Sequence, residues 1–158
     1  MAGILFTDEK LFLSGYKTFK GHITGIGGKP KEGETLFATA IRETIEELFG
    51  IKSSSHKLIT LFEHSLTYYK TVVNQGFTHF FCSFDELKLF LGFAEAAFDF
   101  SPYYDTFPQT LEDLLLQRKN TERAEITHLC LLPFVADCRI ARHLISDINL
   151  CVKPASMT

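Results

Sequence analysis

The chain has 158 residues, enough for a single domain over 1–158 whose core buries about 70% of the extended surface. With 46% hydrophobic and 22% charged residues it has the composition of an ordinary soluble domain, and a net charge of −3 gives no global attraction to nucleic acid. No apolar stretch approaches the roughly eighteen residues that span a bilayer, and the acids Asp8 and Glu9 stand where a signal peptide would be basic, so a cytoplasmic protein with no membrane partner is expected.

Residues 3–6 and 11–13 read as a short strand pair around the turn Thr7-Asp8-Glu9-Lys10. Ser14 to Gly21 reads as a loop, and His22 to Ile26 as a strand that ends at Gly27-Gly28. Lys29 to Gly33 is turn-rich, and Thr35 is a candidate cap for a helix that ends at Gly50. Lys57 to Tyr69 reads as a strand with a kink, followed by a hairpin link that turns at Asn74-Gln75-Gly76. Phe77 to Phe84 is a strong strand. The interval 85–121 carries helical patches at Asp85–Phe93 and Leu111–Lys119 around an aromatic loop. It is a natural place for a substrate-specific or packing insertion, or for homodimer contacts. A strand over Glu125–Val135 and a final helix over Asp137–Ile148 complete an α+β pattern, a mixed sheet with helices on its faces.

The helix before Gly50 carries the chemistry. Taking Glu43 as origin, Glu46 lies about 60° to one side and Glu47 about 40° to the other. The three carboxylates crowd one stripe, which reads as the solvent side. Phe37, Ile41, Thr44, Ile45 and Leu48 form the opposite, buried side. Like charges at this spacing repel, so the triplet is better explained if divalent cations sit over it. Mg2+ prefers a few carboxylates together with substrate phosphates.

Gly28, five residues, Glu34, seven residues and then Arg42-Glu43-Thr44-Ile45-Glu46-Glu47 resembles the signature of the Nudix hydrolases. The resemblance implies an α-β-α sandwich with a mixed central sheet. It also implies hydrolysis of nucleoside diphosphates linked to another moiety, with Mg2+ or Mn2+. The family pattern places one residue between the acid pair and a glycine. Here Leu48 and Phe49 both intervene before Gly50, so the helix exit has an extra residue while the acids stay in register.

By the same resemblance Glu46 and Glu47 are metal ligands, and Glu43 activates water or also binds metal. Gly27 offers its carbonyl to a metal, and Arg42 orients an acid. Glu34 supports the loop or reaches metal through water. A later acid is expected just before the strand near Ile126, with Glu122 preferred over Glu125. Lys20 and Lys29, with Lys17 and Lys31, border the site as phosphate contacts. Phe19, His22, Phe80 and Tyr68 are candidates to contact a base or to line the core. His64, His79, His128 and His143 form no tight metal-ligand pattern, and the four cysteines at 82, 130, 138 and 151 show neither close pairing nor zinc spacing. No nucleophile elbow, P-loop or dinucleotide fingerprint is present, so the chemistry needs no covalent protein intermediate.

Three functional readings follow. The arrangement Gly25-Ile26-Gly27-Gly28-Lys29 with Glu32-Gly33-Glu34-Thr35 is similar to that of members that remove oxidised purine nucleoside triphosphates. The form of the acid cluster is similar to that of some viral mRNA-decapping members, for which Arg118, Lys119 and Arg123 supply only a small basic patch for capped RNA. A noncatalytic nucleotide-binding or interaction protein is the third, opposed by the retention of three mutually repelling acids.

Overall fold

The structure is a computed structural model that describes residues 1–17, 21–119 and 124–133. Its elements run β1 (Ala2–Phe6), β2 (Leu11–Lys17), β3 (His22–Thr24), β4 (Gly27–Gly28), α1 (Leu36–Phe49), α2 (His56–Ser65), β5 (Lys70–Asn74), β6 (Phe77–Cys82), α3 (Phe84–Ala97), α4 (Leu111–Leu116) and β7 (His128–Pro133). The helix expected over Asp137–Ile148 lies outside the described residues.

The strands form two sheets, one in the order β4-β1-β6-β5 and one in the order β3-β2-β7. The first is mixed: β1 runs parallel to β6 and antiparallel to β4, and β5 and β6 are antiparallel. The second is antiparallel throughout. The fold is α+β, with helices packed on a mixed sheet.

Strand β1 is apolar without alternation because both of its faces are covered. Ala2, Ile4 and Phe6 belong to the main core with α1 and α3, whereas Leu5 packs with Phe12 and Phe81 in a smaller cluster flanked by Ile23 and Leu132. Its neighbour β6 is buried along its whole length for the same reason.

The structure corrects the sequence reading in several places. Strands β1 and β2 are not a hairpin. The turn between them is real: Asp8 Oδ1 accepts from the N–H of Lys10 and Leu11 at 2.9 and 2.7 Å, and a single bridge joins Thr7 to Phe12. Beyond that bridge the strands diverge into different sheets, and β2 continues to Lys17 through residues with loop-like composition. The expected strand over Lys57–Tyr69 is instead helix α2 as far as Ser65. Ser55 caps it by accepting from the Leu58 N–H, and the apolar residues Ile59, Phe62 and Leu66 fall at helical spacing on its buried side. The apolar content of this run suits either element, and the helical period is the one realised. Strand β5 occupies the residues expected to form a link, and its turn to β6 lies where expected. Gln75 and Gly76, at φ 51° and 78°, form the two-residue turn whose positive dihedrals suit the twist of a hairpin.

The interval 85–121 contributes to the main core through Leu87, Phe90, Leu91, Ala94, Tyr104 and Leu114. Phe90 is fully buried and meets the rings of Phe6, Phe49 and Phe62. Phe90→Ala is expected to cost about 3–5 kcal/mol, the range for a truncated core phenylalanine. The urea midpoint measures this, and an unchanged midpoint would show that α3 is not integral to the core.

Candidate active site

Helix α1 is delimited as its sequence suggests. Thr35 accepts from the Ala38 N–H at 3.0 Å, and Gly50 takes the left-handed conformation at φ 72° and donates to the Glu46 carbonyl at 2.8 Å. The apolar side, from Phe37 through Leu48, is buried as expected.

The acid stripe is not the solvent-facing surface that its spacing suggests. Arg42 is only 6% exposed and Glu47 only 8%, with Glu43 and Glu46 half-buried. The loop from Gly28 to Thr35 folds back over this side of the helix, and Arg42 is the knot that fastens it. Its Nε donates to Glu34 Oε2 at 2.8 Å and its Nη2 to Glu34 Oε1 at 3.1 Å, while Nη2 also donates to the Lys29 carbonyl at 2.8 Å. Glu34 Oε1 accepts further from the Lys31 N–H and the Thr39 hydroxyl. Both oxygens of Glu34 are thus committed to the loop, which favours the supporting role over metal contact. From its remaining nitrogen, Nη1, Arg42 donates to Glu43 Oε1 at 2.7 Å and to Glu46 Oε1 at 3.2 Å.

Two glycines make the approach of strand and helix feasible. A Cβ at Gly28 would overlap the carboxylate of Glu43. Gly27 pairs with Gly3 across β4 and β1, and its N–H donates to Glu47 Oε2 at 3.0 Å. The contact of Gly27 with the acids is thus through its N–H. Gly3 carries no signal in the sequence, yet a Cβ there would strike the Ile26 carbonyl.

Glu43, Glu46 and Glu47 line one cavity of about 70 Å3 together with Lys52, Tyr103, Glu125 and Ile126. Glu125 pairs with Lys17 at 3.1 Å. Of the two late acids, Glu125 is therefore at the site, and Glu122 lies outside the described residues. So do Phe19 and Lys20. His22 is placed in β3 by its backbone alone. Lys29 is exposed at the loop and gives its carbonyl to Arg42. Phe80 is 6% exposed and packs on Phe37 and Tyr68 along an open groove of about 550 Å3, with none of Glu43, Glu46 and Glu47 among that groove's lining residues. Its position fits the core reading better than contact with a substrate held at the acids. Of the small basic patch, Arg118 donates to backbone carbonyls next to the acid cavity, Lys119 pairs with Asp105, and Arg123 lies outside the described residues. Tyr103 and Lys52 line the site without any mark in the sequence, since both fall beyond the signature, and Arg118 is marked there only as a member of the basic patch.

Burial sets the electrostatics. It pushes the Glu47 carboxyl well above the usual carboxylate range, aided by the charges of Glu125 and Glu43 and opposed by the Gly27 N–H. Burial also raises Glu43, against the pull of Arg42. At Glu34 burial would raise the pKa too, but Arg42 and the Lys31 N–H outweigh it and the net shift is downward. Glu34 and Glu43 in turn hold Arg42 firmly charged.

Among the described residues, no three acidic, His or Cys side chains already converge as the ligands of one ion. Arg42 draws one oxygen of Glu43 and one of Glu46 towards itself. The donor chemistry nevertheless fits a hard divalent cation, since four carboxylates border one small cavity and at least two are kept there at an electrostatic cost that such an ion would relieve.

The sequence matches the family model of the NUDIX domain over residues 1–130. The chain belongs to the NUDIX family. Membership places it among the pyrophosphohydrolases that act on nucleoside diphosphate-linked compounds, a family that generally uses divalent metals such as Mg2+. The Nudix signature spans the loop and helix just described, with its arginine and acids at Arg42, Glu43, Glu46 and Glu47. No curated protein matches the chain. Among the described residues no helix is long and apolar enough to cross a membrane.

The raised carboxyls carry a signed consequence. In metal-free protein the native state retains protons at Glu43 and Glu47 that the unfolded chain, titrating near about 4.3, has released. Their contribution to stability is therefore greatest below that value and falls as pH rises through the folded pKa values. Glu34 acts oppositely: its contribution is present above the unfolded value and is lost on acidification through the folded one. In chelator-treated protein Glu47→Gln should gain stability relative to wild type as pH is raised from about 5 to about 8. Urea midpoints across that range measure the gap, and a constant gap would contradict a buried, strained Glu47.

Proposed function

We propose that this chain is a Mg2+- or Mn2+-dependent pyrophosphohydrolase that cleaves a phosphoric anhydride in a nucleoside polyphosphate, with an oxidised purine nucleoside triphosphate as the first substrate to test. The observation that carries the reading is the gathering of Glu43, Glu46, Glu47 and Glu125 around one small, partly dehydrated cavity, beside an arginine already bonded to two of them. The choice of substrate is supported by the Gly25 to Thr35 sequence arrangement.

Glu46 and Glu47 would hold the metal together with a late acid, Glu125 at the cavity or Glu122. When bound, the ion supplies charge neutralisation at the phosphate oxygens and a lowered pKa for the attacking water. Glu47 is aimed by the Gly27 N–H, so its orientation is set by the strand and not by its own rotamer freedom. Glu43 is the candidate to take the proton from water. Its raised pKa makes it a better proton acceptor than an ordinary carboxylate, and the bond to Arg42 fixes which oxygen faces the cavity. Lys17 and Lys29, with Lys20, are the candidate phosphate contacts. The interval 85–121 is proposed as a core-packing element that also borders the site through Tyr103. A cytoplasmic location and a single functional domain belong to the same reading.

A hydrolysis panel in Mg2+ with oxidised and ordinary nucleotides, dinucleoside polyphosphates, sugar nucleotides and capped RNA tests the assignment. Preferred turnover of an oxidised purine triphosphate, abolished by a chelator, is the expected outcome. Preferred turnover of capped RNA would move the chain to the decapping reading. Binding without turnover on any compound would make it a noncatalytic member. Glu47→Gln should lower turnover by at least about 100-fold, the upper end of what loss of even an outer-shell partner costs. Undiminished hydrolysis by that folded variant would remove Glu47 from the chemistry.

A further inference from the structure

An α-helix leaves its last four carbonyls without intrahelical partners, and in α1 all of them are answered. The Gly50 N–H meets the Glu46 carbonyl at 2.8 Å, and Arg118 Nη2 meets that of Glu47 at 2.9 Å. Arg118 Nη1 meets that of Leu48 at 2.7 Å, and the Ser101 hydroxyl meets that of Phe49 at 2.6 Å. Phe49, the residue additional to the family pattern, is fully buried against Phe90, Tyr104 and Phe107. The helix exit and the interval 98–118 are therefore one packed unit.

Arg118 does more than close the helix. Its Nη2 also donates to the Ile126 carbonyl at 3.0 Å, and its guanidinium lies over the Tyr103 ring at 4.5 Å. Ile126 follows Glu125 directly, and Tyr103, Glu47, Glu125 and Ile126 all line the acid cavity. One guanidinium thus bonds the backbone of Glu47 and the backbone beside Glu125, segments far apart in the chain. A planar fork is needed for this task, since a lysine ammonium is a point charge on a flexible stem.

We propose that Arg118 is a positioning residue for the acid cavity: by joining the carbonyls of Glu47 and Ile126 it sets the separation of the Glu47 and Glu125 carboxylates, and hence the affinity of the site for a divalent cation. This rests on the reading of the cavity as a metal site. A helix cap with no further role would affect stability alone.

Mn2+ titrations of the purified full chain, followed by electron paramagnetic resonance alongside thermal unfolding, separate these roles. Four proteins suffice: wild type, Glu47→Gln, Arg118→Lys and Phe107→Leu. The last trims the Phe107 ring that packs on Phe49, so it loosens the same interval away from the bonds that Arg118 makes to the Glu47, Leu48 and Ile126 carbonyls. Arg118→Lys is expected to weaken Mn2+ binding at least about tenfold, as loss of an outer-shell partner does, while Phe107→Leu lowers Tm and leaves the affinity unchanged. If Glu47→Gln loses Mn2+ but Arg118→Lys binds it as wild type does, Arg118 is only a cap, and the positioning role is overturned while the metal site stands. If Glu47→Gln binds Mn2+ undiminished, the metal site itself is wrong and the positioning role falls with it. Should Arg118→Lys fail to fold, Arg118→Gln, whose amide cannot reach the carbonyls of both Glu47 and Ile126 as the fork does, decides the same question: weaker Mn2+ binding supports the role and unchanged binding overturns it.

Discussion

One buried cation set against several buried anions is the constraint on which this structure turns. Arg42 touches Glu34, Glu43 and Glu46 within hydrogen-bonding distance, and Glu47 lies on the same side of the helix without contacting it. A guanidinium can answer such a set only in part. Buried ion pairs of this kind add little to net stability, because the desolvation of each partner offsets the attraction. What they do supply is direction. Arg42 pins the loop to the helix and turns particular oxygens of Glu43 and Glu46, so the negative charge left over is concentrated around one cavity and not spread across a surface. Proton uptake relieves that excess in the bare protein, and a divalent cation would relieve it under working conditions. The raised carboxyls and the family chemistry are thus two expressions of one charge imbalance.

The glycines make the close packing around those charges possible. Gly28 leaves room for the Glu43 carboxylate, and the pairing of Gly3 with Gly27 lets a strand backbone come close enough for its N–H to reach Glu47. Aromatic residues have the corresponding role at the other end of the helix. Phe49 is held by three rings contributed from α3 and the loop that follows it. An interval with no counterpart in the signature therefore anchors the element that bears it.

How much of this is legible in the sequence depends on the range of the interaction. The caps at Thr35 and Gly50, the buried side of α1 and the acids are legible because each is encoded within a few residues of itself. The Asn74-Gln75-Gly76 turn is legible for the same reason. Helix α2 is easily mistaken for a strand because Lys57–Tyr69 is short and apolar, and short apolar runs satisfy helical and extended periods almost equally. The divergence of β1 and β2 leaves no local trace: their turn is sound, and only the competition of β6 and β4 for β1 pulls the two strands apart. The burial of the acid stripe is hidden because the lid over it is a loop, held by one arginine whose partners lie 8 and 13 positions away in sequence. The role of Arg118 is beyond reach altogether, since nothing local marks an arginine whose partners are carbonyls some 70 residues upstream.

The placement of β1 bears on how the chain can acquire its structure. Strand β1 is one of the two inner strands of the mixed sheet, and its parallel partner ends only at Cys82. Its parallel pairing joins Ala2 to Thr78 and Phe6 to Cys82, and the pairing of β2 with β7 spans more of the chain still. The loop and the first turns of helix α1 are joined by near neighbours, Glu34, Thr35 and Arg42, whereas the exit of the helix depends on Ser101 and Arg118. The loop and the start of the acid-bearing helix can thus form early as a local unit, while the sheet against which the helix packs closes late, through contacts of long sequence separation that slow the search for the native state.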